Sequence, residues 1–259
     1  MNIHIKRIQS AKPDLVLMHG WGTSSDIWRP WLPFLSEHYS IICIDLPGLG
    51  LSKVDDSENY SLQSVVSALA DKVPNNSILL GWSLGGLLAI ALAEKLQQRI
   101  KGLITIACNP CFVQRDDWPD AMSRADFSTF EANMALHPTK TLSRFFMLQV
   151  QGGSQQKEIL KHLRAVGENV QHSQLCASLH LLKHDLRESL AQLSVPSLHF
   201  YAEMDLLVPR QLQLLIPALA TNITSLEVKG AGHLPFVSDS QWLAGQIAEF
   251  SRRIDTGSS

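Results

Sequence analysis

Ser83 stands in the stretch Gly81-Trp82-Ser83-Leu84-Gly85, a hydroxyl between two glycines, with Gly86 next and an apolar run at helical spacing continuing to Leu96. A β-rich run, Ser77–Leu80, precedes it, so the chain must turn from strand to helix within a few residues. Glycine, lacking Cβ, tolerates the close backbone approach of such a turn, and the turn holds its central side chain out at a helix N-terminus where N–H groups favour an anion. That placement suits a nucleophile, although a serine that merely caps a helix would satisfy the same five residues. A hydroxyl attacks poorly at neutral pH, so it needs a base, and the base needs an acid to orient it. Asp205 follows the strand pattern LHFYAE, and His233 follows SLEVK within Gly230-Ala231-Gly232-His233-Leu234-Pro235. All three groups therefore stand just beyond strand ends, where three loops can converge on one edge of one sheet. Glu203 is near enough in sequence to replace Asp205 as the acid, whereas Asp45 lies upstream of the serine.

His19-Gly20-Trp21-Gly22 follows another strand pattern, DLVLM. In a strand-to-helix serine site of this kind, the backbone N–H of Leu84 and that of Trp21 are the expected donors to the oxyanion of a tetrahedral intermediate. The His19 side chain is expected to bond its loop in place. The glycines of Asp45-Leu46-Pro47-Gly48-Leu49-Gly50-Leu51-Ser52 fit a turn that shapes the core, because neither spacing of a phosphate-binding loop is present. Cys108 and Cys111 have C-x-x-C spacing, but Cys108 ends an apolar strand pattern and no second pair exists, so structural thiols are expected.

The elements needed to position these groups can be read around them. Strand patterns recur at Leu15–Met18, Ile41–Ile44, Ile78–Leu80, Leu103–Ala107, Ser197–Tyr201 and Ser225–Val228, with helical patterns between them at Leu62–Val73, Leu87–Leu96 and Arg210–Ala220. Such alternation predicts an α/β fold, a mostly parallel sheet flanked by helices, with ligands beyond the carboxyl ends of its strands. It stops after Cys108. From 112 to 190 the patterns are helical or loop-like, including Lys140–Val150, Gln155–Val166 and Leu175–Lys183. An all-helical lid inserted between core strands is expected there, with core segments at 1–111 and 191–254 and a disordered tail at 255–259. Across 259 residues the formal charge is −2 and 45% of residues are hydrophobic, which gives no global attraction to nucleic acid or an anionic membrane. No stretch reaches the length of a membrane span, and the opening residues lack a signal peptide's apolar run. A cytoplasmic monomer is expected.

HGWG, DLPGLGLS, GWSLGGL, NPCFVQRDDWP, RFFMLQ, LVPR and GAGHLPF together resemble the α/β-hydrolase superfamily over nearly the whole chain. More narrowly, the chain is similar to the carrier-protein methyl ester esterases of biotin synthesis. The resemblance implies the chain order serine, acid, histidine, with no metal or organic cofactor. It implies a pimeloyl methyl ester carried on acyl carrier protein as substrate, and contacts to it from Trp21, Ser83, Leu84, Phe145, Phe146, Met147, Leu148, Gln149 and His233. Trp82 is a further expected wall of the channel. Lys140 and Arg144 are four residues apart on one helical pattern, and Lys157, Lys161 and Arg164 share a face of the next. With an acidic carrier implied, Lys140, Arg144, Lys157 and Lys161 are expected to dock it. A general short-chain carboxylesterase or lactonase would keep the same triad, and a noncatalytic scaffold of this fold would have no need of one.

Overall fold

The computed structural model describes residues 1–54, 60–167 and 172–257. Seven strands form one sheet: β1 (Ile5–Ile8), β2 (Asp14–Met18), β3 (Ser40–Ile44), β4 (Ser77–Trp82), β5 (Ile100–Ile106), β6 (Ser197–Ala202) and β7 (Ile223–Val228). Their order is β1-β3-β2-β4-β5-β6-β7, with every pair parallel except β1 with β3. β3, β4 and β6 are buried along their whole length, which is why they read as continuous apolar runs. β1, IKRI, is a short, mostly exposed edge strand with no apolar periodicity to betray it. From β2 the chain passes to β3 on one side and then to β4 on the other, so the direction of strand succession reverses at β2. The crevice opened by that reversal, beyond the carboxyl ends of β2 and β4, is where ligands bind in open α/β sheets.

The helices are α1 (Leu32–Ser36), α2 (Leu62–Ala70), α3 (Leu84–Leu96), α4 (Arg124–Leu136), α5 (Pro138–Val150), α6 (Gln156–Gly167), α7 (His172–Leu179), α8 (Arg187–Ala191), α9 (Leu212–Leu215), α10 (Pro235–Ser238) and α11 (Ser240–Thr256). α3 packs on β2, β4 and β5 with α2 and α8 against it, while α11 packs on β5 beside α1. The helix expected over Arg210–Ala220 shrinks to the single turn of α9, because Pro217 has no N–H to donate to Gln213 O, which accepts from the Ser225 hydroxyl instead. The expected tail is corrected as well. α11 runs through Asp255 and Thr256, and Gly257 ends it in the left-handed conformation that favours glycine. Residues 258–259 of that tail, and 168–171 of the expected lid, lie outside the described residues. Between β5 and β6 the described residues form α4 to α8, preceded by a loop closed by two isolated bridges, Val113 with Met122 and Arg115 with Trp118. Among the described residues no helix is long and apolar enough to cross a membrane.

One buried polar cluster makes the fold sensitive to acid. His199 on β6 lies opposite Thr105 on β5, its Nδ1 2.7 Å from Thr105 Oγ1 and its Nε2 3.0 Å from Ser197 Oγ. Burial pushes its pKa down to about 3. A histidine held neutral in the fold but free to take a proton when unfolded costs nothing above the unfolded value of about 6.5. Below that value it destabilises the fold by up to about 1.4 kcal/mol per pH unit, until its folded pKa is reached. Between pH 6.5 and 5 the chain is therefore expected to lose about 2 kcal/mol more than His199→Gln loses, as read from urea unfolding of both proteins. Equal losses would remove His199 as the cause.

Candidate active site

Ser83 sits between the end of β4 and the start of α3 with φ 56 and ψ −119, a conformation side chains rarely adopt. The surroundings enforce it. Ser83 N–H donates to Ile106 O on β5 (3.0 Å), and Ser83 O accepts from the N–H groups of Gly86 (2.9 Å) and Leu87 (3.1 Å). A Cβ at Gly81 would collide with the Gly85 carbonyl, and one at Gly85 with the Met18 carbonyl at the end of β2, so both positions flanking the turn exclude a side chain. Ser83 is 7% exposed, and its Oγ makes no capping hydrogen bond to α3.

Asp205 and His233 meet beyond β6 and β7. His233 Nδ1 donates to Asp205 Oδ2 at 2.7 Å, and both side chains are buried. Asp205 Oδ1 accepts from the N–H groups of Leu207 (2.8 Å) and Val208 (3.2 Å), so the turn after β6 fixes the carboxylate before it meets the imidazole. Glu203 points elsewhere: its carboxylate accepts from Gly230 N–H (3.0 Å) and faces Arg210 (3.8 Å). With Nδ1 committed to Asp205, His233 Nε2 is left buried with no hydrogen-bond partner among the described residues. It shares a cavity with Ser83. The other lining residues are Trp21, Phe112, Met122, Phe127, Phe130, Phe145, Leu148, Leu179, Leu182 and Leu207, all apolar or aromatic.

Trp21 follows β2, one strand from Ser83. Its indole Nε1–H donates to Leu175 O (3.1 Å), and its ring meets those of Phe145 and Phe130 edge-on at 5.1 and 5.5 Å. Neither its backbone N–H nor that of Leu84, the first residue of α3, hydrogen-bonds within the protein among the described residues. The loop carrying Trp21 is tied down by His19. The Leu46 N–H donates to His19 Nε2 (2.9 Å), which makes Nε2 the acceptor and leaves the proton on Nδ1, donated to Gly20 O (2.8 Å). Burial lowers the His19 pKa and keeps the ring neutral for that arrangement. Asp45, 4.0 Å from His19, accepts from Ser25 N–H (2.7 Å) and Leu51 N–H (2.9 Å), so the glycine-rich turn after β3 braces the same loop.

This arrangement fits a hydrolase, and the comparisons place the chain among hydrolases. A family model described as alpha/beta hydrolase fold matches residues 13–240. The chain belongs to the α/β-hydrolase family. Two curated relatives named pimeloyl-[acyl-carrier protein] methyl ester esterase are similar to this hydrolase almost end to end. The one from Edwardsiella ictaluri is 37% identical, over 93% of this chain and 94% of its own. The one from Aeromonas salmonicida is 36% identical, over 93% and 96%. A solved bromoperoxidase from Bacillus anthracis superposes with a TM-score of 0.87 at 20% identity, covering 96% of this chain and 95% of its own, which speaks to the fold.

Several expected contacts fall away from the cavity of this hydrolase. Phe146 is buried against Gly167 and Gly22, Met147 is 44% exposed to solvent, and neither lines the cavity. Gln149 is buried, and its carbonyl accepts from His233 N–H (3.0 Å); its amide does not line the cavity. The Leu84 and Trp82 side chains are buried, and neither lines the cavity. Conversely, Phe127 and Phe130, three apart on α4, and Phe112 and Met122 on the bridged loop before it line the cavity without having been foreseen. The Phe127, Phe130, Met134 spacing was a visible helical stripe, but a stripe does not say whether it faces core or cavity. Cys108 and Cys111 are buried free thiols, and burial pushes both above the ordinary thiol range, away from the reactive thiolate.

Proposed function

We infer that this chain is a serine carboxylesterase that hydrolyses the methyl ester of pimeloyl-[acyl-carrier protein] in biotin synthesis, releasing methanol and the free acid. The supporting relatives match over nearly their full length. The observation that carries the chemistry is His233, with Nδ1 held by Asp205 and Nε2 unpartnered in a cavity whose other polar group is Ser83. In this reading Ser83 Oγ attacks the ester carbonyl as Nε2 takes its proton. The Trp21 and Leu84 N–H groups receive the oxyanion, and a donor of this kind is worth about 100-fold or more in rate. Nε2–H then gives that proton to the departing methoxide oxygen, which leaves as methanol, and the same nitrogen activates the water that frees the acyl group. The product is a carboxylate among apolar walls, where a charge is costly, so product leaves more readily than substrate.

Recognition of the carrier is assigned to α5 and α6, which pack against each other. They carry Lys140, Arg144, Lys157, Lys161 and Arg164 against one acidic residue, Glu158. Among the described residues none of the five is in an ion pair, and all are exposed. Leu148, half out in solvent, also lines the cavity and stands four residues after Arg144 and eight after Lys140, on one face of α5 with them, which supports docking beside the cavity. Changing Lys140, Arg144, Lys157 and Lys161 together to Glu is expected to raise KM for carrier-linked ester by about 10-fold at low salt and to flatten its salt dependence. A small free ester should be turned over unchanged.

The deciding experiment supplies five-, seven- and nine-carbon diacid methyl esters on acyl carrier protein and measures methanol release. The reading requires the carrier-linked seven-carbon ester to give the highest kcat/KM. Better turnover of small free esters or lactones would make the chain a general esterase, and no turnover at all would leave a scaffold.

A further inference from the structure

We propose that Trp82 is a positioning residue that holds His233 in line with Ser83. This rests on His233 being the base. Trp82 is the last residue of β4, fixed in register with Ile106 of β5, and it is 1% exposed with no part in the cavity lining. Its side chain goes to the histidine instead. The indole Nε1–H donates to the His233 carbonyl at 2.8 Å, and the ring lies 5.5 Å from the imidazole, tilted by 54°.

The remaining neighbours turn the indole into a wedge. Phe236, three residues after the histidine, meets it edge-on at 5.4 Å, and Trp28 does so at 6.4 Å. On the other side Gly20, in the loop that presents the Trp21 N–H, lies so close that a Cβ there would stand 2.8 Å from the indole ring. One rigid ring, bonded through the chain to the nucleophile, therefore touches both the oxyanion loop and the histidine loop. The His233 peptide is held from both sides, its carbonyl by Trp82 and its N–H by Gln149 O. Asp205 fixes how the imidazole is turned, and these two bonds fix where it stands. A buried N–H or carbonyl left unpaired is costly, so the Trp82 bond resists being given up as the loop fluctuates.

Removing the indole N–H would free the His233 carbonyl and let the imidazole drift. A displacement of about 1 Å can cost about 100-fold in rate. Because the indole does not line the cavity, binding should be spared. The test uses two variants of the full chain: Trp82→Phe, and replacement of residue 82 by β-(3-benzothienyl)alanine, which keeps the bicyclic shape and has sulfur where the N–H was. Both are expected to lower kcat by about 10- to 100-fold, with KM within twofold, on a carrier-linked ester and a small free ester alike. The proton resonance of His233 Nδ1–H should broaden or move in both, a change that loss of packing elsewhere would not produce. If the Phe variant folds poorly, the benzothienyl protein decides. Unchanged kcat with an unmoved resonance would overturn the proposal, and so would a raised KM at constant kcat, the mark of a cavity wall. His233→Gln, measured alongside, separates the two levels of the argument. An active His233→Gln overturns the base assignment and this proposal with it, whereas an inactive one beside unimpaired Trp82 variants overturns this proposal alone.

Discussion

Ser83→Ala is expected to lower kcat by about 10⁵- to 10⁶-fold while leaving the ester's dissociation constant and the fold nearly intact. The chemical loss is large because base, acid and nucleophile act as a unit, and an imidazole with nothing to deprotonate contributes little. The structural loss is small because the Oγ caps nothing and is nearly buried without a compensating bond. Alanine keeps the Cβ, so the backbone remains at φ 56 and the strain there is unchanged. Ser83→Gly separates that strain from the chemistry. It should be equally inactive, yet more stable than Ser83→Ala by about 1 kcal/mol, because glycine adopts this backbone without the penalty of roughly 1–3 kcal/mol that a side chain incurs. Single-turnover rates with calorimetry on both variants check this. Residual activity above about one part in a thousand in a clean preparation would remove Ser83 as the nucleophile.

The sequence discloses the three groups proposed to react because each follows an apolar run that a parallel sheet buries whole, and loops beyond such runs share one edge. It does not choose between Glu203 and Asp205. They are two residues apart, and the choice depends on the turn after Ala202, where the Leu207 and Val208 N–H groups collect Asp205 Oδ1 while Glu203 goes to Gly230 and Arg210. Those partners are set by backbone geometry that no local pattern encodes.

The substrate walls show a different kind of gap. Residues 145 to 149 are consecutive on α5, and a helix turns by about 100° per residue, so five in a row cannot face one cavity. The structure obeys the period: Phe145 and Leu148, three apart, line the cavity, Phe146 and Gln149 are buried away from it, and Met147 faces solvent. Periodicity therefore limits how many of the five can serve, but which of them do follows from how α5 docks on α4 and α6, a tertiary fact. The same holds for His199, whose neighbour Thr105 becomes its partner only once β5 and β6 lie side by side, whereas Ser197 stands two residues before it on its own strand.

Asp205→Asn is expected to lower kcat by about 10³- to 10⁴-fold with KM little changed, through the tautomer of His233. The two carboxylate oxygens have unequal surroundings. Oδ1 faces two N–H donors, Leu207 and Val208, and so demands an acceptor. An asparagine in this pocket must turn its carbonyl oxygen to them, which points its NH₂ at His233 Nδ1, 2.7 Å away from the present Oδ2. Facing a donor, Nδ1 must give up its proton and accept, and in a neutral imidazole the proton then resides on Nε2. That nitrogen faces the shared cavity with a hydrogen where it needs a lone pair, and it cannot take the proton of Ser83. The geometry survives while the chemistry is blocked, so stability and ligand binding should hold. Glu203→Gln is the control: the Glu203 carboxylate holds Gly230 and faces Arg210, not the imidazole, and its loss should cost no more than about threefold, since it touches the site only through the Gly230 loop. Steady-state kinetics on both variants decide between them, and a Glu203→Gln as impaired as Asp205→Asn would mean that the acid of the triad has been misplaced.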